Sequence, residues 1–192
     1  MNRLGTFLLL LFIITACQNE TYTPKPRGYF RIAAKDTTYQ LYANAAFSFE
    51  YSRIAVIDTI QRVKEKHWMN LVYPPLNATL YITYKSLKIN DLDDCISDAR
   101  TMAIKQISKA DDIDESIILD TATARYGKIY EILGNEAACP YQFWITDKEN
   151  HFLRASLYFN CTPRNDSLAP YIDYLKKDML HLIETFAWKK GK

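Results

Sequence analysis

The sequence has little glycine, and this scarcity limits the chemistry that the chain can perform. Only 5 glycines occur in 192 residues, and between Cys17 and the C-terminal tail they are Gly28, Gly127 and Gly134. No glycine-rich loop can therefore cradle a phosphate, and the Gly-x-Ser-x-Gly, Cys-x-x-Cys and His-Glu-x-x-His motifs are also missing. We expect neither a nucleotide-binding enzyme nor a zinc peptidase, and we predict no catalytic residue and no metal site.

Neither sign of charge dominates the chain. It has 24 basic and 22 acidic residues, which gives a net charge of +2. Because such a balance creates no strong electrostatic field, we expect no nucleic-acid partner. Tyrosine is abundant instead, with 14 residues beside 9 phenylalanines and 3 tryptophans, and this aromatic content favours packing on β-sheets.

The N-terminus has the pattern of a bacterial lipoprotein signal. Arg3 supplies a positive charge, and an apolar run follows from Leu4 to Ile14. The run is shorter than the ~20 residues that a membrane-spanning helix needs. The stretch 14–17 (ITAC) matches the lipobox pattern, so we predict a signal peptide over residues 1–16 and lipid attached to Cys17. The other interpretation is an ordinary signal peptide that contains a cysteine.

The lipidated Cys17 would begin the mature protein. Residues 17–28 are polar, contain Pro24 and Pro26 and show no periodicity, which is typical of an extended tether. We therefore predict that residues 29–192 form a single domain, that the lipid bilayer is its partner through acylated Cys17, and that it has no other cofactor. A location in the cell envelope facing the periplasm follows, while the inner and outer membranes both remain open.

Two spacing patterns alternate in the domain. Phe47, Phe49 and Tyr51 show the alternation of a half-buried strand, and similar runs predict strands at 39–42, 54–60, 68–73, 79–84, 124–133, 141–147 and 151–160. Apolar residues at helical spacing predict one helix from Asn90 to Ala110 and another from Asp166 onward, with Pro170 in its first turn. We expect the acidic stretch 111–115 to be a solvated loop.

This order of elements predicts an α+β domain in which two main helices cover a mostly antiparallel sheet. The arrangement looks like the Mog1/PsbP-like fold, an α/β/α sandwich. This resemblance concerns the order of elements alone and implies no function.

The cysteines and the last helix raise three local predictions. Cys139 and Cys161 flank a predicted hairpin that turns at 147–150, so we predict a disulfide between them. Cys95 should be a buried thiol on the apolar face of its helix. Asp178 and His181 lie three residues apart, a spacing that suits either a metal or proton-relay site or an ordinary hydrogen bond at the helix surface. The ordinary bond is favoured because the sequence supplies no further ligand.

Several separated runs resemble one family. They are Pro26-Arg27-Gly28-Tyr29-Phe30-Arg31-Ile32, Phe49-Glu50-Tyr51, Trp68-Met69-Asn70 leading to Tyr73-Pro74, 80–85 (LYITYK), 151–159 (HFLRASLYF), 166–170 (DSLAP) and 181–186 (HLIETF). Together they are similar to the gliding-motility lipoprotein GldD family of Bacteroidetes. The resemblance implies a non-enzymatic component of the gliding machinery, linked to type IX protein secretion, and it provides no active site to carry over.

Two classes of function follow. The first is a membrane-anchored interaction module whose partners are envelope proteins of the motility and secretion apparatus. The alternative is a periplasmic lipoprotein that binds a small ligand between sheet and helix, and a hydrolase that uses Asp178 and His181 is a third class. The predicted partner-contact residues are Tyr73, Tyr84, Lys85, His151, Arg154, Tyr171 and Tyr174.

Overall fold

The computed structural model describes residues 38–59 and 67–189, which form two antiparallel sheets and two long helices. The predicted signal peptide, Cys17, the tether and the first residues of the predicted domain lie outside the described residues. The strands are β1 (Tyr39–Ala43), β2 (Phe47–Ser52), β3 (Val56–Thr59), β4 (Met69–Tyr73), β5 (Ala78–Ser86), β6 (Asp112–Asp120), β7 (Arg125–Leu133), β8 (Tyr141–Thr146), β9 (His151–Phe159) and β10 (Ala187–Trp188), and the helices are α1 (Leu92–Ile104) and α2 (Asn165–Thr185).

Seven strands form a large sheet and three form a small one. The large sheet has the order β3-β4-β5-β9-β8-β7-β6, and the small sheet has the order β1-β2-β10. All of these pairings are antiparallel. The predicted α+β class, with a mostly antiparallel sheet and two main helices, is therefore confirmed.

The alternation of side chains in β8 places the two helices on opposite faces of the large sheet. Phe143 and Ile145 belong to the main core, together with Leu175 and Met179 of α2 and aromatic residues of β2. Trp144, between them in sequence, belongs to a second cluster with the buried face of α1. Cys95 lies in this second cluster with 2% of its surface exposed, as predicted.

Helix α1 differs from its predicted bounds at both ends. Its N-cap is Asp91, whose carboxylate accepts hydrogen bonds from the backbone N–H groups of Asp93 at 2.8 Å and Asp94 at 3.3 Å. Asn90, the predicted start, instead donates its side-chain amide to the carbonyl of Ser86. The helix ends at Ile104, and the predicted remainder is a short 3-10 turn.

The acidic stretch 111–115 is not the predicted loop, because most of it lies in β6. This strand pairs with β7 through a continuous register from Asp112↔Leu133 to Asp120↔Arg125. It is the last strand of the large sheet among the described residues. An edge strand keeps much of its surface in water, which allows carboxylates where a central strand would need apolar residues.

Helix α2 begins at Asn165, so Pro170 is its sixth residue and lies in the second turn, not in the predicted first turn. Its C-terminal end is held by Arg125 of β7. The Arg125 guanidinium donates to the carbonyls of Ile183 and Glu184, each at 2.6 Å, and so satisfies two groups that the helix leaves free. Asp120 accepts from Arg125 at 2.5 Å, and this bond lowers the pKa of Asp120 to about 2.

Candidate functional site

The face of the large sheet that packs against α1 has an open region beside the helix. Trp144 and Phe152 pack against α1, but polar side chains from β5 and β9 line a cavity of about 220 Å³ next to the last turn of the helix. The register pairs Arg154 with Thr83 in this region. The cavity, here called the Arg154 cavity, is lined by Tyr81, Thr83, Met102, Lys105, Gln106, Arg154, Ser156 and Tyr158.

Arg154 is held in this cavity by a neutral partner. Its Nη2 donates to Oε1 of Gln142 at 2.8 Å, and Gln142 is only 1% exposed. No ion pair joins Arg154 to a carboxylate in the described part of the chain. Burial lowers the pKa of Arg154 below its ordinary value, although the negative charge of Asp98 acts in the opposite direction. The guanidinium nevertheless stays charged at neutral pH.

One wall of the Arg154 cavity is supported by a tyrosine and a buried thiol. Tyr158 packs edge-to-face on Tyr81, with ring centroids 5.7 Å apart, and its hydroxyl lies close to the thiol of Cys139. Cys139 is fully buried and its Sγ donates to the carbonyl of Tyr141 at 3.5 Å. Burial raises the pKa of the Cys139 thiol to about 12, so the thiol stays protonated and unreactive.

The predicted disulfide is absent, because Cys139 and Cys161 are both free thiols and Cys161 is exposed. The hairpin register explains the difference. Tyr141 pairs with Leu157, so two further steps align position 139 with Phe159 rather than with Cys161. The prediction placed the turn of the hairpin correctly, since the Asp147 carboxylate accepts three backbone N–H groups there.

Asp178 lies where α2 packs against the small sheet. It is 5% exposed, and its Oδ1 accepts a hydrogen bond from the hydroxyl of Tyr39 at 3.3 Å. Burial raises the pKa of Asp178 to about 6, while Tyr39 and the nearby Ser52 hydroxyl lower it in part. Ser52 does not reach full hydrogen-bond geometry, and Asp178 Oδ2 has no partner among the described residues. The prediction of a helix-surface position is therefore wrong for Asp178.

His181 bonds to the small sheet and not to Asp178. Its Nε2 lies 2.8 Å from Oε2 of Glu50, and its ring stacks on Tyr39 at a centroid distance of 3.6 Å. Tyr39 therefore contacts both polar residues of the helix. The pair predicted from its three-residue spacing joins α2 to β1 and β2 rather than forming one site.

A second cavity, of about 510 Å³, lies where β10 meets the β8–β9 turn, and His151 and Trp188 are among its lining residues. The two rings stack with centroids 5.1 Å apart. His151 Nδ1 is 2.6 Å from the hydroxyl of Tyr84. Burial lowers the pKa of His151, although Asp147 acts to raise it. The imidazole is consequently neutral at pH 7 and serves as part of an aromatic cluster.

The predicted partner-contact residues fall in different environments. Tyr73 is 2% exposed and Tyr84 is 8% exposed, so these two predictions are wrong: both side chains belong to the main core. Lys85 forms an ion pair with Asp98 at 3.4 Å. For the remaining predicted residues a contact role stays a prediction, and they are His151 and Arg154, which line the two cavities, and Tyr171 and Tyr174, which pack partly buried against the main core.

The sequence reasoning missed an apolar surface at the edge of the large sheet. Ile117 is 78% exposed and Leu119 is 71% exposed, and both lie on β6. Leu119 pairs across the hairpin with Tyr126, whose ring carries Lys148 Nζ 3.8 Å above its centroid. Ile117, Leu119 and Tyr126 are here called the β6 patch. The sequence signal was available in the apolar triplet at 117–119, which follows the acidic stretch 111–115 directly after Ser116.

The sequence also missed the neighbours of Arg154. In β9 the residues Arg154, Ser156 and Tyr158 alternate with apolar residues, which places them on one face of the strand. Such a polar stripe in a strand that is otherwise apolar was a usable signal. Gln142 interrupts β8 in the same way.

The described residues contain neither a metal-ligating cluster nor a membrane-spanning helix. No group of three or more histidine, cysteine, aspartate or glutamate side chains in the described residues could hold a metal ion. In that same part of the chain, none of the helices combines the length and the apolar character needed to cross a membrane.

Comparison with known proteins gives a family match. A family model described as gliding motility lipoprotein GldD matches residues 19–188. No curated protein matches the chain. The chain is similar to the solution structure of cyanobacterial PsbP (CyanoP) from Synechocystis sp. PCC 6803, with 8% identity and a TM-score of 0.46 over 84% of this chain and 98% of that chain. The fold class stated above depends on the strand order and helix positions of this chain alone.

Proposed function

Because the chain belongs to the gliding motility lipoprotein GldD family, we propose that it works in the gliding and type IX secretion machinery through protein contacts and catalyses no reaction. In this proposal the lipid on Cys17 holds the domain at an envelope membrane, facing the periplasm. The polar, proline-containing residues 17–28 would separate the lipid from the domain in this proposal. The family match supports the association with gliding motility and the lipid anchor.

The β6 patch is the observation that carries the proposed contact role. Two large aliphatic side chains lie next to each other on one face of an edge strand and are both mostly in water. Edge strands in isolated domains usually avoid such a surface, because their free backbone groups can pair with another chain. A partner that covers Ile117 and Leu119 would gain roughly 1.5–3 kcal/mol for each side chain that it buries fully.

We commit to one occupant, an extended segment of an envelope protein of the motility apparatus that adds to β6 as a further strand. The charges of β6 indicate its chemistry. Asp112 and Asp114 are exposed and form no ion pair within the described residues, whereas Glu115 and Asp120 are paired with basic residues of β7. The segment should therefore be apolar opposite Ile117 and Leu119 and basic opposite the start of β6.

Site-specific crosslinking in native membranes tests this proposal. A photo-crosslinking amino acid at Ile117 should capture an envelope protein, and the same residue at Leu41 should not. Leu41 is the matched control because it is 69% exposed but lies on the small sheet. The Cys17→Ala variant, which cannot be lipidated, should lose the crosslink. Identical products from positions 117 and 41, or no captured protein at 117, would overturn the proposed surface.

The functional consequence is tested with a paired substitution. Ile117→Ser with Leu119→Ser should weaken the partner complex by about 2–4 kcal/mol, which is roughly 30- to 1000-fold in affinity. Motility or secretion in the native organism should fall with it. Leu41→Ser removes a similar exposed side chain and should leave both activities unchanged. Normal motility and secretion in the double variant would contradict a contact role for the β6 patch.

A further inference from the structure

We propose that the Arg154 cavity binds a carboxylate group carried on a short apolar body. This proposal does not depend on the proposed role of the β6 patch, which lies on a different strand of the sheet. It depends on a half-buried cation without an ion-pair partner in the described residues, on a fixed orientation of that cation, and on the chemistry of the cavity walls.

The guanidinium of Arg154 cannot reduce the cost of its partial burial by losing its proton. A buried carboxyl or amine can become neutral, but arginine stays protonated at physiological pH. Within the described residues its hydrogen-bond partner is Gln142, a neutral amide. An anion in the cavity would supply the charge-assisted hydrogen bonds that this cation lacks.

The guanidinium is also held in a defined position. Arg154 lies on β9, and β9 lies between β5 and β8 in the middle of the sheet. Gln142 Oε1, which accepts from Arg154 at 2.8 Å, is also 3.5 Å from the Ser156 hydroxyl. A cation that is fixed by rigid strands and a buried amide loses little conformational freedom when a ligand binds.

The other walls of the cavity suit a small monoanion with an apolar part. Tyr81 and Met102 are 41% and 43% exposed and can cover an apolar body, while Lys105 adds a second positive charge at the rim. Asp98, whose negative charge acts on Arg154, is paired with Lys85 at 3.4 Å and so competes little for Arg154.

The end of α1 sets the charge and orientation of the ligand. The helix stops at Ile104, next to the cavity, and the C-terminal end of a helix carries partial negative charge. A dianion such as phosphate would be attracted by Arg154 and Lys105 but repelled by this partial negative charge. A carboxylate can direct its single charge to the planar, bidentate guanidinium and turn its apolar part toward Tyr81 and Met102.

The test uses the full mature lipoprotein in lipid nanodiscs and benzoate as the probe. Binding is followed by ligand-observed NMR, with benzamide as a neutral compound of nearly the same shape. Benzoate should bind at least about 10-fold more tightly than benzamide, since a hydrogen bond to a charged group contributes ~1.5–3 kcal/mol. Equal binding of the two compounds to the protein, or no binding of benzoate at tens of millimolar, would overturn the proposal.

Two variants and two inorganic anions complete the test. Arg154→Met should abolish the preference for benzoate over benzamide, and Arg154→Lys should keep a reduced preference because it retains the charge without the fork. If Arg154→Met does not fold, the comparison of benzoate with benzamide on the unchanged protein still shows whether the protein prefers a carboxylate. Phosphate or sulfate binding more tightly than benzoate would refute a carboxylate site. Acetate separates the carboxylate contribution from that of the apolar body, and acetate binding as tightly as benzoate would contradict the proposed role of the apolar body.

Discussion

Asp178 is buried and Arg154 is half-buried, and these two ionisable groups respond differently to their surroundings. Asp178 is sealed between α2 and the small sheet, with donors from Tyr39 and Ser52 nearby. Arg154 lies on the opposite side of the large sheet and opens into a cavity. The carboxyl can take up a proton and become neutral, whereas the guanidinium cannot. The buried Asp178 can therefore lose its charge by taking up a proton. The permanent charge of Arg154 can be neutralised only by an anion that enters the cavity.

The largest expected effect is at the sealed position. Asp178→Asn keeps the shape of the side chain and its acceptor for Tyr39 but removes the buried charge. We expect the free energy of unfolding at pH 8 to rise by on the order of 3 kcal/mol, because the pKa is raised by about two units and each unit corresponds to ~1.4 kcal/mol. Chemical denaturation measures it. Asp173→Asn on the exposed side of the same helix is the control and should change stability little.

The contribution of Asp178 to the free energy of unfolding depends on pH in a defined way. The folded-state pKa of Asp178, about 6, is above the ordinary value of 3.8, so between these values the folded protein binds the proton more tightly than the unfolded chain does. This contribution to stability is complete below pH 3.8, is lost as the pH rises to about 6, and changes no further above it. Denaturation series from pH 4 to 8 should show that loss in the natural sequence. Finding the same slope in Asp178→Asn would assign it to another group.

Removing Gln142, the neutral partner of Arg154, should have the next largest effect on stability. Gln142→Leu leaves Arg154 Nη2 without its acceptor at a half-buried position, and we expect a loss of about 1–3 kcal/mol in the free energy of unfolding. Benzoate, if the cavity binds it, should then recover more stability in this variant than in the unchanged protein. Gln106→Leu, at the rim of the cavity, is the matched control. Thermal unfolding with and without benzoate measures both effects.

A smaller effect is expected from weakening the sealed position. Tyr39→Phe removes the hydroxyl that donates to Asp178 and should destabilise the protein by about 1 kcal/mol at pH 8. Because that hydrogen bond lowers the pKa of Asp178, its loss should move the pKa above 6, which a carboxyl ¹³C NMR titration measures. Tyr171→Phe on α2 is the control. An unchanged pKa in Tyr39→Phe would show that the hydroxyl does not act on the carboxylate.

The smallest effect is expected at the rim of the open position. Lys105→Gln removes an exposed charge at the end of α1, where attraction is weakened by water and salt. Its unfolding free energy should change by less than about 0.5 kcal/mol, and its benzoate affinity should fall only about two-fold at low salt. The fall should vanish at about 1 M salt. A loss as large as that in Arg154→Met would make Lys105 the main cation of the site.

Sequence periodicity predicted the helices and most strands because each of them buries one face. The apolar residues of such a face recur at a regular spacing along the sequence. Leu175, Met179 and Leu182 of α2, and Phe186 directly after it, recur at helical spacing in the sequence and are buried. Asp178 lies next to these residues, and its burial depends on β1 and β2, which are far away in the chain. A pattern within one helix carries no information about a second sheet that covers its flank.

The strand edge and the hairpin register were also beyond a local pattern. Asp112–Asp120 is acidic because an edge strand is solvated, and the same composition is typical of a loop. The disulfide prediction identified a real hairpin but could not fix its register, and a shift of two residues leaves Cys161 outside the pairing. Arg154 was identified as a contact candidate, but its cavity required the neighbouring strands β5 and β8.

The bonds between Arg125 and the end of α2 determine how a force applied to the β6–β7 hairpin reaches the rest of the domain. Hydrogen bonds in an antiparallel pair are perpendicular to the strands, so tension along β6 is divided at once among the pairs from Asp112↔Leu133 to Asp120↔Arg125. Single-molecule pulling along and across β6 should give a much higher rupture force along it. A partner that pulled lengthwise on β6 would thus pass its load through Arg125 into the last turn of α2, while a sideways peel would open the hairpin one pair at a time.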